Sequence, residues 1–237
     1  MLRGVVPPEP SDAARAAAAR AAAALVERGS TIGLGSGRAV WAVTELLGER
    51  LDELAPLRVV VGSSRTNYFA RKAGLETIEL DGSFRLTLAI DGADEIDPQL
   101  GLLKGGGGAL LREKIIVAAA DRFVVVAEAP KKVERLGATM GIPVEVVRFG
   151  WRDTRARLLR LLESAEIRRD EDGSIYETDE GHYIVDCAPH PTGSMEDLAA
   201  AICAMPGVVE HGLFLTEADL VLLGEPDGGV ERLERQL

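Results

Sequence analysis

The chain has 237 residues and a mass of 25.2 kDa, enough to bury a full core as one large domain or as a large and a small one. With 46% hydrophobic and 27% charged residues it has an ordinary globular composition. Its formal net charge of -11 argues against general nucleic-acid binding, which needs a basic surface to displace counterions. A small anionic metabolite is not excluded, because one site can be locally positive on an acidic protein.

Cys187 and Cys203 cannot make a disulfide framework, and no CxxC or Cys/His spacing suggests zinc. They read as two small apolar residues in a reduced compartment. The alanine-rich stretch after Ser11 is too short and too interrupted by arginine to span a bilayer. The expectation is a soluble, cytoplasmic protein with no membrane partner.

Met1 to Pro10 is Pro-rich and expected to be irregular. Ser11-Asp12 reads as an N-cap with an acid in the first turn, opening a helix to about Glu27, closed by Arg28-Gly29. Arg15 and Arg20 on it read as solvated. Ser30 to Ile32 is a short strand running into Gly33-Leu34-Gly35-Ser36-Gly37, and a helix follows from Ala39 to Arg50. Strand, glycine turn and helix present backbone N–H groups and a positive helix end to an anion. The turn lacks the third spaced glycine of a dinucleotide fingerprint and the Lys-Ser/Thr ending of a P-loop, so it suits a sugar phosphate better, or is simply a tight turn.

Arg58 to Gly62 is an uninterrupted apolar strand of the buried parallel kind. Ser63-Ser64-Arg65-Thr66-Asn67 follows, then a helix to Ala73. Two readings stand equally for these hydroxyls: ligand contacts at the carboxyl end of a strand, or helix caps. Glu76 to Leu80 and Arg85 to Ile90 are further strands, the second delivering Asp91, and Phe123 to Ala127 is another. Strands alternating with helices point to a parallel sheet with right-handed crossovers.

From Gly141 the texture changes. A strand at Pro143 to Val147, a helix at Asp153 to Ala165 and strands at Ile167 to Arg169 and Tyr183 to Cys187 come first. A helix at Met195 to Ala204 and a strand at Val208 to Phe214 complete a βαββαβ order, that of a small ferredoxin-like sandwich. Ala218 to Leu223 returns one strand to the first sheet. The fold class is therefore α/β: a Rossmann-like domain at 1–140 plus 215–237, with a ferredoxin-like α+β domain inserted at 141–214.

The chemistry is expected between Ala89 and Ala120. Asp91, Asp94 and Glu95 put three carboxylates within five residues. Two acids at 91 and 94 facing one pocket would repel, raising one pKa, or would hold a hard metal; the loop does not fit an EF-hand. Asp97-Pro98 reads as an Asx-turn. Lys104 precedes four glycines, Gly105 to Gly108, a run that marks close approach of backbone to ligand or an unusual turn. The helix from about Ala109 then carries Glu113 one turn inside, within reach of a pocket as a base or as a stabiliser of the helix dipole. Arg112 and Lys114 read as its solvated face.

These segments resemble type A ribose-5-phosphate isomerase nearly end to end. The residues that carry the resemblance are GLGSG at Gly33–Gly37, SSRT at Ser63–Thr66, DGADEID at Asp91–Asp97, KGGGGALLREKI at Lys104–Ile115, PVEV at Pro143–Val146 and MPGVVEHGLF at Met205–Phe214. The resemblance implies interconversion of ribose 5-phosphate and ribulose 5-phosphate through a cis-enediol, in the non-oxidative pentose phosphate pathway, with no metal and no cofactor. It implies Glu113 as the base moving a proton between C1 and C2, and Asp91 as an aid to ring opening and hydroxyl proton transfer. It further implies that Asp94 and Lys104 orient the substrate oxygens, with Lys104 stabilising charge on the enediolate. By the same resemblance Gly33, Gly35, Ser36, Gly37, Ser63, Thr66, Gly105, Gly106, Gly107 and Lys131 are the expected substrate contacts, and Arg15 falls near another basic position. It also implies assembly as a homodimer or homotetramer. The family usually reads G-x-G-T-G-S-T in the first loop; here its Ser-Thr pair has become Arg38-Ala39, and Arg38 either grips the phosphate as a fork or faces solvent.

Other readings compete. The Arg38-Ala39 departure would suit the same enediol chemistry on a different sugar. The related fold hosts coenzyme A transferases with a glutamate nucleophile, against which the paired DGAD and KGGGG segments weigh. A non-catalytic sugar-phosphate sensor would not need all four catalytic positions.

Overall fold

The computed structural model describes residues 12–190 and 192–235. The irregular Met1 to Pro10 segment and the Ser11 cap expected from sequence lie outside them.

The helices are α1 (Asp12–Ala23), α2 (Arg38–Gly48), α3 (Leu51–Leu54), α4 (Ser64–Lys72), α5 (Leu110–Ala118), α6 (Trp151–Leu158) and α7 (Met195–Cys203). The first seven strands are β1 (Thr31–Leu34), β2 (Arg58–Val61), β3 (Glu76–Thr77), β4 (Leu88–Asp91), β5 (Glu95–Ile96), β6 (Leu102–Leu103) and β7 (Phe123–Glu128). The rest are β8 (Ile142–Val146), β9 (Ser164–Ile167), β10 (Tyr183–Ala188), β11 (Val208–His211), β12 (Leu213–Phe214), β13 (Leu220–Gly224) and β14 (Val230–Glu234). None of the helices among the described residues is long and apolar enough to cross a membrane.

Two compact units divide the chain. The larger comprises Met1–Ala93, Arg112–Lys132 and Thr216–Leu237. Its sheet runs β14-β13-β7-β4-β1-β2-β3, parallel throughout except for the antiparallel edge strand β14. One face buries Ile32, Leu34, Val59, Ile90, Val124 and Leu222 against the alanines of α1 and against Val40, Val43 and Leu47 of α2. Small alanines suit that place, because they let a helix lie close on a twisted sheet. At Gly33, between Ile32 and Leu34 and so pointing the opposite way, a Cβ would collide with Ile116. The bare backbone there lets α5 seat on the other face.

The smaller unit comprises Asp94–Leu111 and Val133–Leu215. Its antiparallel sheet runs β11-β8-β10-β9, the ferredoxin-like order, and buries Ile142, Val144, Val146, Val185 and Cys187 against Leu158 and Ile202 of its helices. A second sheet, β12-β6-β5, joins Leu213–Phe214 to Leu102–Leu103 and Glu95–Ile96. That pairing draws 94–111 into the smaller unit, which is therefore wider than the 141–214 expected.

Several element ends differ from the sequence expectation. The first helix stops at Ala23, because Leu25 and Val26 bond back three residues and turn into the core. The helix expected to reach Ala165 ends at Leu158, since Ser164–Ile167 is recruited to pair with β10. Arg85 to Thr87 stays outside β4, and β3 is only two residues long. The Val208 to Phe214 strand breaks at Gly212, where a Cβ would collide with the Lys104 carbonyl. Of the two cysteines, Cys187 is buried and Cys203 is exposed.

Candidate active site

In the larger unit, β1 leads through α2 to β2 on one side, whereas β4 leads on to β7 on the other. Where connections diverge like this, parallel strands open a crevice at their carboxyl ends. Gly35–Gly37 follow β1 there, and Asp91 ends β4.

The loop is built around that aspartate. A Cβ at Gly35 would overlap the Asp91 carboxylate, so only glycine allows the two to coexist. Asp91 Oδ1 accepts from Ser36 N–H at 3.0 Å and from Gly92 N–H at 2.7 Å. Gly35 N–H donates to Ile90 O, and Gly62 N–H to Leu34 O. Thr66 Oγ1 donates to Gly35 O at 2.8 Å while accepting from Ser63 Oγ and Trp41 Nε1. Ser63 caps α4 by accepting from Thr66 N–H, and its Oγ lies 3.1 Å from that of Ser36. Ser63 takes the capping reading, whereas Thr66, inside α4, bonds Gly35 O instead; both hydroxyls are engaged by the protein and buttress the loop.

Gly37 has φ 99° and starts α2 with no side-chain cap, which leaves first-turn N–H groups for an anion. Arg38 is the first residue of that helix; it is exposed and makes no side-chain hydrogen bond or ion pair among the described residues. Lys131 is half-buried at the end of a 3-10 turn that follows β7. Arg15 is not solvated as expected: its Nε donates to buried Glu128 Oε1 at 2.8 Å. Its partner lies 113 residues away, beyond any local pattern.

In the smaller unit, Asp94 N–H donates to Leu103 O, and its Oδ2 accepts from Gly106 N–H at 2.8 Å. Glu95, the third acid of the cluster, is a structural residue. It is fully buried and accepts from Gly137 N–H, Thr139 N–H, Thr139 Oγ1 and Met140 N–H. Asp97 forms the expected Asx-turn by accepting from Gln99 and Gly101 N–H. Lys104 N–H donates to Gly212 O at 2.8 Å, and Nζ sits 5.5 Å from the centre of the Phe214 ring. The run after it turns at Gly105, φ 100°, and again at Gly108, φ 78°. Gly106 and Gly107 bridge the two turns.

Glu113 stands in the first turn of α5, whose seat against β1 was fixed by Gly33 and Ile116. Arg112 and Lys114 are half-buried, not solvated; the exposed residue of that turn is Ile115. Asp91, Lys104 and Glu113 are 2%, 3% and 5% exposed. Charged groups this deep are costly unless partnered or used, so their burial marks them as functional candidates. A set of metal-ligand types that sequence spacing did not reveal also meets in the smaller unit: Cys203, Glu210 and His211, with ligand atoms within 4.8 Å of one another. His211 Nδ1, however, accepts from Leu213 N–H at 3.2 Å, so that lone pair is already engaged.

Residues 58–228 match the family described as ribose 5-phosphate isomerase A (phosphoriboisomerase A). The chain is 50% identical over 208 residues to ribose-5-phosphate isomerase A of Roseiflexus sp. (strain RS-1), covering 87% of this chain and 89% of that protein. Among solved structures, ribose 5-phosphate isomerase from Plasmodium falciparum superposes with a TM-score of 0.90 at 31% identity, covering 95% of this chain and 99% of that one. A D-ribose-5-phosphate isomerase in complex with phospho-erythronic acid gives a TM-score of 0.88 at 33% identity, covering 94% and 98%.

Proposed function

The chain belongs to the ribose 5-phosphate isomerase A family, and from that membership we propose that it interconverts D-ribose 5-phosphate and D-ribulose 5-phosphate through a cis-enediol(ate) with Glu113 as the base. The observation that carries the assignment is the burial of Asp91, Lys104 and Glu113 alone among the motif residues that resemble the family's catalytic set, with Asp94 held half-buried on Gly106 N–H.

In the open-chain aldose, C1 is a carbonyl and C2 carries a hydrogen and a hydroxyl. Glu113 takes the C2 proton, and the electron pair moves into C1–C2 while the carbonyl pair moves onto O1. Lys104 offsets the negative charge that develops there. Asp91 relays the O2 hydroxyl proton to O1, and Glu113 returns its proton to C1, leaving a carbonyl at C2. No atom is gained or lost. Asp94, Gly105, Gly106 and Gly107 orient the sugar oxygens. The phosphate takes the Gly35–Gly37 loop that follows β1 and the start of α2, with Arg38 and Lys131 as the cations. The relative bound to phospho-erythronic acid, an anionic sugar-acid phosphate, supports a sugar phosphate as the ligand. The same membership supports a cytoplasmic homodimer or homotetramer, which light scattering on the purified protein would test.

Solvent deuterium exchange into C2 of ribose 5-phosphate tests the base. Replacing a general base is expected to lower exchange and turnover by roughly 10²–10⁴-fold in Glu113→Gln. Near wild-type exchange in that variant would sink the assignment.

A further inference from the structure

Three carbonyl groups of the glycine run, those of Gly105, Gly106 and Gly107, accept hydrogen bonds from the side chains of Arg168 and Tyr176. Arg168, just past β9, donates through one guanidinium nitrogen to Gly105 O at 2.8 Å and Gly106 O at 3.1 Å. Its other two nitrogens grip Asp186 on β10 as a fork, at 3.0 and 2.5 Å. The Arg168 side chain is only 14% exposed. Tyr176, whose backbone N–H bonds Arg168 O, donates its hydroxyl to Gly107 O at 3.2 Å. Its ring lies 5.8 Å from the guanidinium, and a Cβ at Gly108 would collide with it. Burial pushes the Tyr176 pKa up, which keeps the hydroxyl a donor.

A trans peptide unit points its carbonyl and the next residue's N–H in opposite directions. Fixing Gly106 O on Arg168 therefore aims Gly107 N–H away from the arginine, and that N–H has no acceptor among the described residues. Gly106 N–H, one residue earlier, is spent on Asp94. We propose that Asp186, Arg168 and Tyr176 are positioning residues that lock the glycine run so that Gly107 N–H is presented as a fixed donor to a sugar oxygen. The guanidinium is suited to this: its planar fork satisfies the carboxylate with one edge and two carbonyls with the other, which an ammonium cannot do. The inference rests on the isomerase reading, in which this run contacts the sugar and the Gly35–Gly37 loop contacts the phosphate.

The test compares Arg168→Met, Arg168→Lys, Tyr176→Phe and Asp186→Asn with wild type, reading kcat/KM for ribose 5-phosphate and competitive inhibition by inorganic phosphate. Misplacing a positioned donor is expected to lower kcat/KM roughly 10–100-fold in Arg168→Met, less in Arg168→Lys and least in Tyr176→Phe. Phosphate inhibition stays at the wild-type level, whereas general damage to the protein weakens both. Arg155→Met, which removes an arginine bonded to Glu166 and Ala165 O on the same sheet, is the control and stays active. Wild-type kcat/KM in Arg168→Met, or equal losses of turnover and phosphate affinity, overturns the proposal. If Arg168→Met does not fold, Asp186→Asn decides, because it keeps the arginine and removes only its anchor. Glu113→Gln run alongside separates the two ideas: an active Glu113→Gln refutes the isomerase roles, while an inactive one beside an unimpaired Arg168→Met refutes the clamp alone.

Discussion

Gly35→Ala is a single methyl group that should disable the site. A Cβ built at Gly35 lies 1.9 Å from Asp91 Cγ, where ordinary contact begins at 3.4 Å, so the carboxylate has to retreat by about 1.5 Å. The retreat breaks the Ser36 N–H bond to Oδ1 at 3.0 Å, and a hydrogen bond to a charged group is worth about 1.5–3 kcal/mol. Overpacking a dense interior adds about 1–3 kcal/mol. Together these predict a stability loss of roughly 2.5–6 kcal/mol, read as a lower urea midpoint. The functional loss is separate: displacing a reacting group by more than 1 Å costs on the order of 10² in kcat/KM. Steady-state assay with ribose 5-phosphate and urea unfolding of the same preparation measure both effects. If Gly35→Ala kept kcat/KM within about threefold of wild type, the idea that Asp91 must sit at this spot would be refuted.

Two further outcomes are specific to this chain. Arg38→Ala should raise KM for ribose 5-phosphate about fivefold with kcat unchanged, the effect of about 1 kcal/mol from an exposed ion pair; an unchanged KM would assign the side chain to solvent. In the smaller unit, buried Glu145 accepts from Thr178 Oγ1 and pairs with His182 Nδ1, and burial raises its pKa above 4.5 in spite of those bonds. Because the folded pKa is the higher one, its contribution is fully present below pH 4.5 and is lost as pH rises through the folded value. Glu145→Gln should therefore be more stable than wild type at pH 7 and show a flatter fall in unfolding free energy from pH 5 upward. Parallel urea-derived pH profiles for the two proteins would contradict this.

Much of the fold and of the candidate site is legible in local pattern. Apolar runs such as Val59–Val61 and Val124–Val126 announce buried parallel strands, and the glycines at 33, 35 and 37 mark a strand-to-helix turn, because period and turn chemistry act over a few residues. Asp91, Lys104 and Glu113 stand out as an acid ending a strand, a lysine before a glycine run and an acid one turn into a helix, spaced as in a known family; their burial is decided by the fold. Only the tertiary structure decides which partner each polar group meets. It turns Glu95 from a member of the acid cluster into the anchor of residues 137–140, and pairs Arg15 with Glu128. It spends the hydroxyls of Ser63 and Thr66 on the loop they brace. It also brings Arg168 onto glycines 62 and 63 residues away in the chain. Such choices are made by chain crossing and packing over long separations, for which neither propensity nor periodicity carries a signal.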